Sequence, residues 1–344
     1  MTWSELDWPA LDRLRQKFLN GPAATAAGPY WETPADLASY DFTYGERIGW
    51  KWDHVLRELK LRSWSPPPGA ALFDWGCGSG VAARRIIAAF GPDAFSSLTV
   101  WDHSPLACDY AAAAAAKEFP DLKIAQATPG FLAGTEPIGL LVISHVLNEL
   151  PPDALAALQA LIDRAAAVLW VEPGTHAVSR QLSQLRESFR APFAVVAPCT
   201  HADRCPVLAE DRTRDWCHFF APPPGEIFAD SNWVKFGQRA GIDLRSLPYC
   251  FLALDRRPAA ASSAGWSRVI GRPEHFKPYA RWLNCDASGL QDLELPKRAD
   301  PALFKQLERS KLPLLYRWTR DGDKVSTGEA LLPPPVSETG PLPD

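Results

Sequence analysis

The feature that most constrains this chain is the run Asp74-Trp75-Gly76-Cys77-Gly78-Ser79-Gly80, which closes the apolar stretch Ala70–Trp75 and opens the alanine-rich stretch Val81–Phe90. Glycines at alternate positions let a backbone turn sharply and approach a ligand with no Cβ in the way. A strand, such a turn and then a helix make a nucleotide-binding unit of open α/β sheets. The rest of the chain agrees. Apolar runs at Ala70–Trp75, Leu98–Asp102, Leu122–Ala125, Gly139–Ser144 and Ala167–Glu172 alternate with helix-like segments at Val81–Phe90, Pro105–Glu118 and Pro152–Ala166. This cadence predicts an α/β fold built on a parallel doubly wound sheet. A helix at Ala177–Phe189 and a strand at Leu244–Leu254 are expected to complete it.

Two cofactors compete for the loop. Gly78-Ser79-Gly80-Val81-Ala82-Ala83 satisfies a relaxed dinucleotide fingerprint, G-x-G-x-x-A. Asp74, ahead of the first glycine, favours S-adenosylmethionine, because D-x-G-x-G-x-G is the loop of class I methyltransferases. A carboxylate there can bind the methionine ammonium, whereas it would repel a pyrophosphate. Asp102, 22 residues after Gly80 at the end of the next strand, stands where an acid accepts hydrogen bonds from ribose hydroxyls. The candidate cofactor residues are therefore Asp74, Gly76, Gly78, Gly80 and Asp102. A sheet that has kept the loop and lost the ligand is the bland alternative. The fourth strand ends in Ser144-His145-Val146-Leu147-Asn148-Glu149. It carries neither the Asn-Pro-Pro-Tyr-like run of amino-group methylation nor a cysteine to attack a pyrimidine ring. His145 and Glu149 have the chemistry for acid–base work, but a satisfied polar pair explains them better, so no catalytic residue is named.

Residues 1–65 read as a helical region rich in tryptophan, with Ile48, Trp52, Val55, Leu56 and Leu59 on one stripe and Arg47, Lys51 and Arg57 off it. We expect this region to cap the sheet domain, 66–258. Within that domain, residues 191–235 interrupt the rhythm with Cys, His, Pro and Trp. Three cysteines (Cys199, Cys205, Cys217) and two histidines (His201, His218) fall within 20 residues there. Soft thiolates at irregular loop spacing suit zinc or an iron–sulfur cluster, although C-x5-C-x11-C matches neither the common zinc-finger nor the ferredoxin pattern. A fourth ligand is open on spacing among Cys285, Cys250, His201 and His218. Seven cysteines, an odd number, with no export signal make disulfides the poorer reading.

Beyond a linker at Pro258–Gly265 comes a small β-rich unit, 266–325. Over 268–320 it holds eleven basic and six acidic residues, a local +5 in a chain of net charge −4. The overall charge excludes a uniformly basic nucleic-acid coat, so any RNA contact rests on this patch. The tail 331–344, with Pro333, Pro334 and Pro335, is expected to be disordered. No apolar run reaches the ~18 residues of a membrane span. We expect a soluble cytoplasmic protein with no membrane or DNA partner.

In this order, the glycine loop and the Cys–His cluster resemble the Rsm22 family of small-ribosomal-subunit methyltransferase-like proteins. The resemblance runs from the helix before the loop to about Arg320. It is most specific at Ala197-Pro198-Cys199, His201, Asp203, Cys205-Pro206 and Trp216-Cys217-His218-Phe219, preceded by Val171-Glu172-Pro173-Gly174. It implies a class I methyltransferase-like doubly wound sheet with an N-terminal helical cap, a Cys-rich metal-binding insertion and a small C-terminal unit. It further implies S-adenosylmethionine and a 4Fe-4S cluster as cofactors, the small ribosomal subunit or its precursor and rRNA as partners, and a role in subunit assembly and translation. Cys199, Cys205 and Cys217 carry over as cluster ligands. Cys285, in Leu283-Asn284-Cys285-Asp286, fits the fourth place, with Cys250 in reserve; zinc stays the alternative metal. Through Cys285 the cluster would staple the basic unit onto the sheet domain, a structural rather than a redox role. An active rRNA methyltransferase is the second reading. A small-molecule or protein methyltransferase with a structural zinc is the third.

Overall fold

The computed structural model describes residues 1–19, 31–258, 265–310 and 312–332. The Pro258–Gly265 linker, apart from its two ends, and the expected tail from residue 333 onward lie outside the described residues.

Among the described residues, three α-helices open the chain: α1 (Trp8–Leu19), α2 (Pro34–Tyr40) and α3 (Glu46–Leu61). Thr33 and Asp36 cap α2 reciprocally and Pro34 takes its first turn, the arrangement that satisfies the amides a helix start leaves open. A π-helical turn, Asp41–Gly45, joins α2 to α3. Asp41 accepts two hydrogen bonds from Arg84 and one from Tyr110, tying this cap to the helices around the glycine loop. The apolar stripe of α3 packs on the sheet as expected. Its opposite side is covered too, since Trp50, Lys51, His54 and Glu58 are also buried.

The main sheet has eight strands: β1 (Ala70–Trp75), β2 (Phe95–Trp101), β3 (Ile124–Gln126), β4 (Ile138–Ser144), β5 (Ala165–Pro173), β6 (Ala194–Ala197), β7 (Phe219–Ala221) and β8 (Leu247–Asp255). Their order is β3-β2-β1-β4-β5-β8-β6, with β7 paired to β8. The intervening helices are α4 (Val81–Phe90), α5 (Pro105–Glu118), α6 (Pro129–Ala133), α7 (Pro152–Arg164), α8 (His176–Phe189) and α9 (Ser231–Ala240). Alternation along the strands supplies two cores. Leu72, Leu140 and Val142 face Val55, Ile86 and Ala111, while Phe73, Leu141 and Ile143 face Leu158, Leu161 and Leu182.

The sheet is mixed, which corrects the expectation of a parallel one: β8 runs antiparallel to both β5 and β6. The chain leaves β6 at one end of the sheet, makes the excursion 198–246 and re-enters at that same end, so β8 has to run backwards; a parallel strand needs a crossover to the opposite end. The Cys-rich stretch is also stitched into the sheet rather than set apart from it. Strands β6 and β7 pair with opposite ends of β8, and the segment bearing Cys199, Cys205 and Cys217 runs between them.

The C-terminal unit is a closed barrel of β9 (Ser267–His275), β10 (Tyr279–Asp286), β11 (Gly289–Pro296), β12 (Leu315–Asp321) and β13 (Lys324–Ala330), with α10 (Pro301–Arg309) between β11 and β12. Trp282, Leu293, Leu295, Phe304, Tyr316 and Val325 fill it. The barrel docks on the sheet domain through Arg268, which pairs with the fully buried Glu58 of α3 and lies 3.9 Å from the ring centre of Phe219. Glu58 also holds Arg62 at 2.8 Å. Buried ions of this kind persist because each charge has a partner.

Candidate functional site

A cavity of about 560 Å³ opens beyond the carboxyl ends of β1, β2 and β4, the switch point at which open α/β sheets bind ligands. The glycine loop forms its floor. Gly76, Gly78 and Gly80 have φ of +72°, +51° and +75°, a region that L side chains enter at a cost. A Cβ on Gly76 would lie 2.6 Å from Val146, and one on Gly80 would lie 2.9 Å from Ala111; one on Gly78 would meet nothing within 4 Å. Gly76 and Gly80 are therefore dictated by packing, whereas Gly78 leaves room beside the cavity. The amides of Gly76 and Cys77 donate to the carbonyl of Trp101 at 2.8 and 2.9 Å, locking the loop to the end of β2.

The two predicted acids occupy different places. Asp102 lines the cavity and its carboxylate braces the loop, accepting from the Gly78 amide at 3.0 Å and the Ser104 amide at 2.9 Å. Burial raises its pKa. Asp74 lies beneath the loop, fully buried, by the Ala83 amide in the first turn of α4. Neither of its oxygens makes a well-formed hydrogen bond, and burial pushes its pKa up to about 7. The buried Ser79 hydroxyl, in the loop itself, also lacks a partner. An orphaned carboxyl under a loop of left-handed glycines and an orphaned hydroxyl within it fit a cationic or hydroxyl-bearing ligand above it, because unsatisfied buried polar groups are costly.

Across the cavity, His145 sits at the end of β4 with φ +57°, a strained conformation for a residue with a Cβ. Its Nε2 lies 3.0 Å from the amine of Lys51. Trp52 donates to Ser144, the residue before it, at 3.0 Å. Glu172 holds the following turn, accepting from the amides of Val146 and Leu147 and from the Trp170 indole. Burial lowers the Lys51 pKa to about 7, with Arg47 nearby acting in the same direction. It also lowers that of His145 and raises those of Glu149 and Glu172 to about 7. His145 thus pairs with Lys51, and not with Glu149 as the sequence suggested. From the sequence, the place of Lys51 off the apolar stripe reads as solvent-facing. The available signal was its position between Trp50 and Trp52, both buried.

The cysteines form a second locus, where the sheet domain meets the barrel. Cys205 and Cys217 pack with Cys285 of β10 among Val207, Ile270 and Leu290. Cys199, Cys205, Cys217 and Arg186 border a gap of about 20 Å³. Cys285 Sγ is 3.7 Å from His201 Nε2. Cys250 also borders the gap, but its thiol donates to the carbonyl of Pro173 at 3.5 Å. Burial raises the pKa values of Cys205, Cys217 and Cys285, and the neighbouring thiolates add to the rise. Arginines hold the loop by its carbonyls. Arg62 donates to Val196, Pro198 and Cys199, Arg186 to His201 and Asp203, and Arg180 to Val207, Arg212 and Asp215. The donors are soft thiols in a cationic setting, which suits a thiolate-bound group of negative charge. Among the described residues, however, no three His, Cys, Asp or Glu side chains are grouped to hold a single metal ion.

Counting the strands on the main path, the sheet runs 3-2-1-4-5-7-6 with the seventh strand reversed. A glycine loop follows its first strand and an acid closes its second. That fold and site define a class I methyltransferase-like protein. Residues 53–306 match the family described as mitochondrial small ribosomal subunit Rsm22, and the chain belongs to that Rsm22 family. No curated protein matches it. Among solved structures, magnesium protoporphyrin IX methyltransferase of Synechocystis, with bound S-adenosylhomocysteine, is 13% identical and aligns over 73% of this chain and 95% of its own at a TM-score of 0.37. The N-methyltransferase NodS of Bradyrhizobium japonicum, also with S-adenosylhomocysteine, is 14% identical over 64% of this chain and 91% of its own, at 0.38. No helix among the described residues is long and apolar enough to cross a membrane.

Proposed function

We propose that this chain is a small-ribosomal-subunit-associated methyltransferase-like protein, acting in subunit assembly and translation, that binds S-adenosylmethionine in the glycine-loop cavity. On this reading Asp102 meets the ribose hydroxyls, Gly76, Gly78 and Gly80 give the cofactor backbone clearance, and Asp74, beneath the loop with a pKa of about 7, gives up its proton when the methionine ammonium binds above it. Cys199, Cys205, Cys217 and Cys285 hold a 4Fe-4S cluster that fastens the barrel to the sheet domain, and the barrel contacts rRNA. The observation that carries the reading is the meeting of Cys285, from the far end of the chain, with the Cys205 and Cys217 thiols beside buried arginines.

The test is iron, acid-labile sulfide and visible absorbance on protein purified without air, with Cys285→Ser and Cys250→Ser alongside. Brown protein that loses iron only in the Cys285 variant is expected. Colourless protein with one zinc per chain would refute the cluster and favour an ordinary methyltransferase with a structural metal. Sedimentation with small subunits, weakening with salt, tests the partner. The cytoplasmic location expected from the sequence stands as a proposal beside a family description that reads mitochondrial, and cell fractionation of a tagged chain separates the two.

One observation favours a second reading, an active rRNA methyltransferase: the Lys51–His145 pair faces the cavity and provides a base for a methyl acceptor. A methyl mark absent from a deletion strain, and restored by wild type but not by Lys51→Met, is the outcome it requires.

A further inference from the structure

The barrel strands, numbered within the barrel, close in the order 1-2-3-5-4-1. Strand 3 lies parallel to strand 5, and a helix joins 3 to 4. That is the topology of the OB-fold, whose ligands lie across strands 2 and 3 between the 1–2 and 4–5 loops. Topology locates a face, and the side chains on it decide its use. Here the face is divided. Toward the β10–β11 turn, Leu283, Cys285 and Leu290 pack against the Cys-rich loop, and Arg212 reaches over to Asp292 and to the carbonyl of Leu290. Among the described residues, the other half bears no such cover. It gathers the 1–2 loop, the 4–5 loop and the exit of β11, because Glu294 takes the carbonyl of Asp323 and Lys297 that of Pro278 through their amides.

At this open end Phe276 is 41% exposed and its ring stacks on Tyr279, with centroids 4.8 Å apart and planes at 26°. The pair is preformed, since the Phe276 amide donates to the Tyr279 carbonyl at 2.9 Å. Exposed Lys277 is next to Phe276 in the chain and Arg281 is 5.8 Å from the Phe276 ring centre, whereas the Lys297 ammonium lies 5.3 Å from the centre of the Phe304 ring. Arg281 and Lys324 are paired with Glu274 and Glu294, so the local excess of positive charge is small and stacking leads the recognition.

We propose that Phe276 and Tyr279, with Lys277 beside them, form a stacking site for one or two unpaired bases of single-stranded RNA. Unstacked bases find a π face on aromatic side chains, while duplex RNA offers none. The choice of RNA over DNA rests on the ribosomal reading above; the site itself rests on the barrel.

Fluorescence anisotropy of the full-length protein with a labelled ten-nucleotide RNA, the same RNA as a duplex and the matching single-stranded DNA tests it. Binding to the single strand in preference to the duplex is expected. It should fall at least about tenfold in the Phe276→Ala, Tyr279→Ala double variant and survive in Phe276→Tyr, which keeps the ring. Phe276 is on the surface loop and Tyr279 opens β10, half-buried, so an unchanged melting curve of the double variant verifies the fold. No binding by wild type, equal or tighter binding of duplex or DNA, or a double variant with unaltered affinity overturns the proposal. Sedimentation with small subunits is scored separately, so failure there refutes the ribosomal reading without deciding the aromatic site.

Discussion

Gly76 and Gly78 are two residues apart, both left-handed, and serve different purposes. A methyl group on Gly76 collides with Val146, whereas on Gly78 it enters free space beside the cavity. Both alanine variants bear the left-handed penalty of roughly 1–2 kcal/mol, but only Gly76→Ala adds a steric clash. Gly76→Ala is expected to melt clearly lower than Gly78→Ala. Gly78→Ala should keep most of its stability and lose S-adenosylmethionine affinity in calorimetric titration. Equal melting temperatures, or full affinity in Gly78→Ala, would contradict this division of labour. The sequence made the glycines legible through spacing alone. It could not reveal that Asp74 lies under the loop and Asp102 beside the cavity, because both are acids that close a strand and only the depth of each separates them.

Among the elements, α3 departs furthest from its sequence reading. Its apolar stripe was legible from helical periodicity, and α4 and α5 begin and end where the glycine and proline signals put them. That Lys51, His54 and Glu58 are buried was not legible, since the barrel and the cavity wall that cover them come from far along the chain. Glu58 shows the consequence. It joins Arg62, which clamps the loop before Cys199, to Arg268, which anchors the barrel. Glu58→Gln leaves two buried guanidinium groups without a counter-charge, and removing one member of such a set typically destabilises by about 3–5 kcal/mol. The expected result is a large drop in the denaturant midpoint, with partial recovery when Arg268→Met is added. A Glu58→Gln protein as stable as wild type would mean that the triad carries no net energy.

For the whole molecule, burial of charge gives folding a definite pH dependence. Asp74, Glu149 and Glu172 each titrate at about 7 in the fold, against about 4 in an unfolded chain. The folded state therefore holds protons that the unfolded state has released, and the carboxyl contribution to stability rises as pH falls from about 8 toward 5. Lys51, lowered to about 7, opposes this above neutrality and dominates near pH 8, and the lowered His145 opposes it below about 6.5; summed over pH 6 to 8, the three carboxyls outweigh the two bases. The melting temperature should be higher at pH 6 than at pH 8, and an equal or higher value at pH 8 would refute the assignment of these groups. Periodicity, punctuation and spacing act over a few residues, and they suffice for the helices flanking the glycine loop, the central strands, the loop itself and the clustering of three cysteines; α9, at the edge of the Cys-rich interruption, and α10, inside the unit read as β-rich, escape them. Long-range packing settles that β8 runs backwards, that Lys51 pairs with His145, that Cys285 reaches Cys205 and Cys217, and that five late strands close into a barrel with one half of a face left open. Each of these joins residues distant along the chain, and what fixes them is burial and pairing in the packed molecule, which no local pattern records.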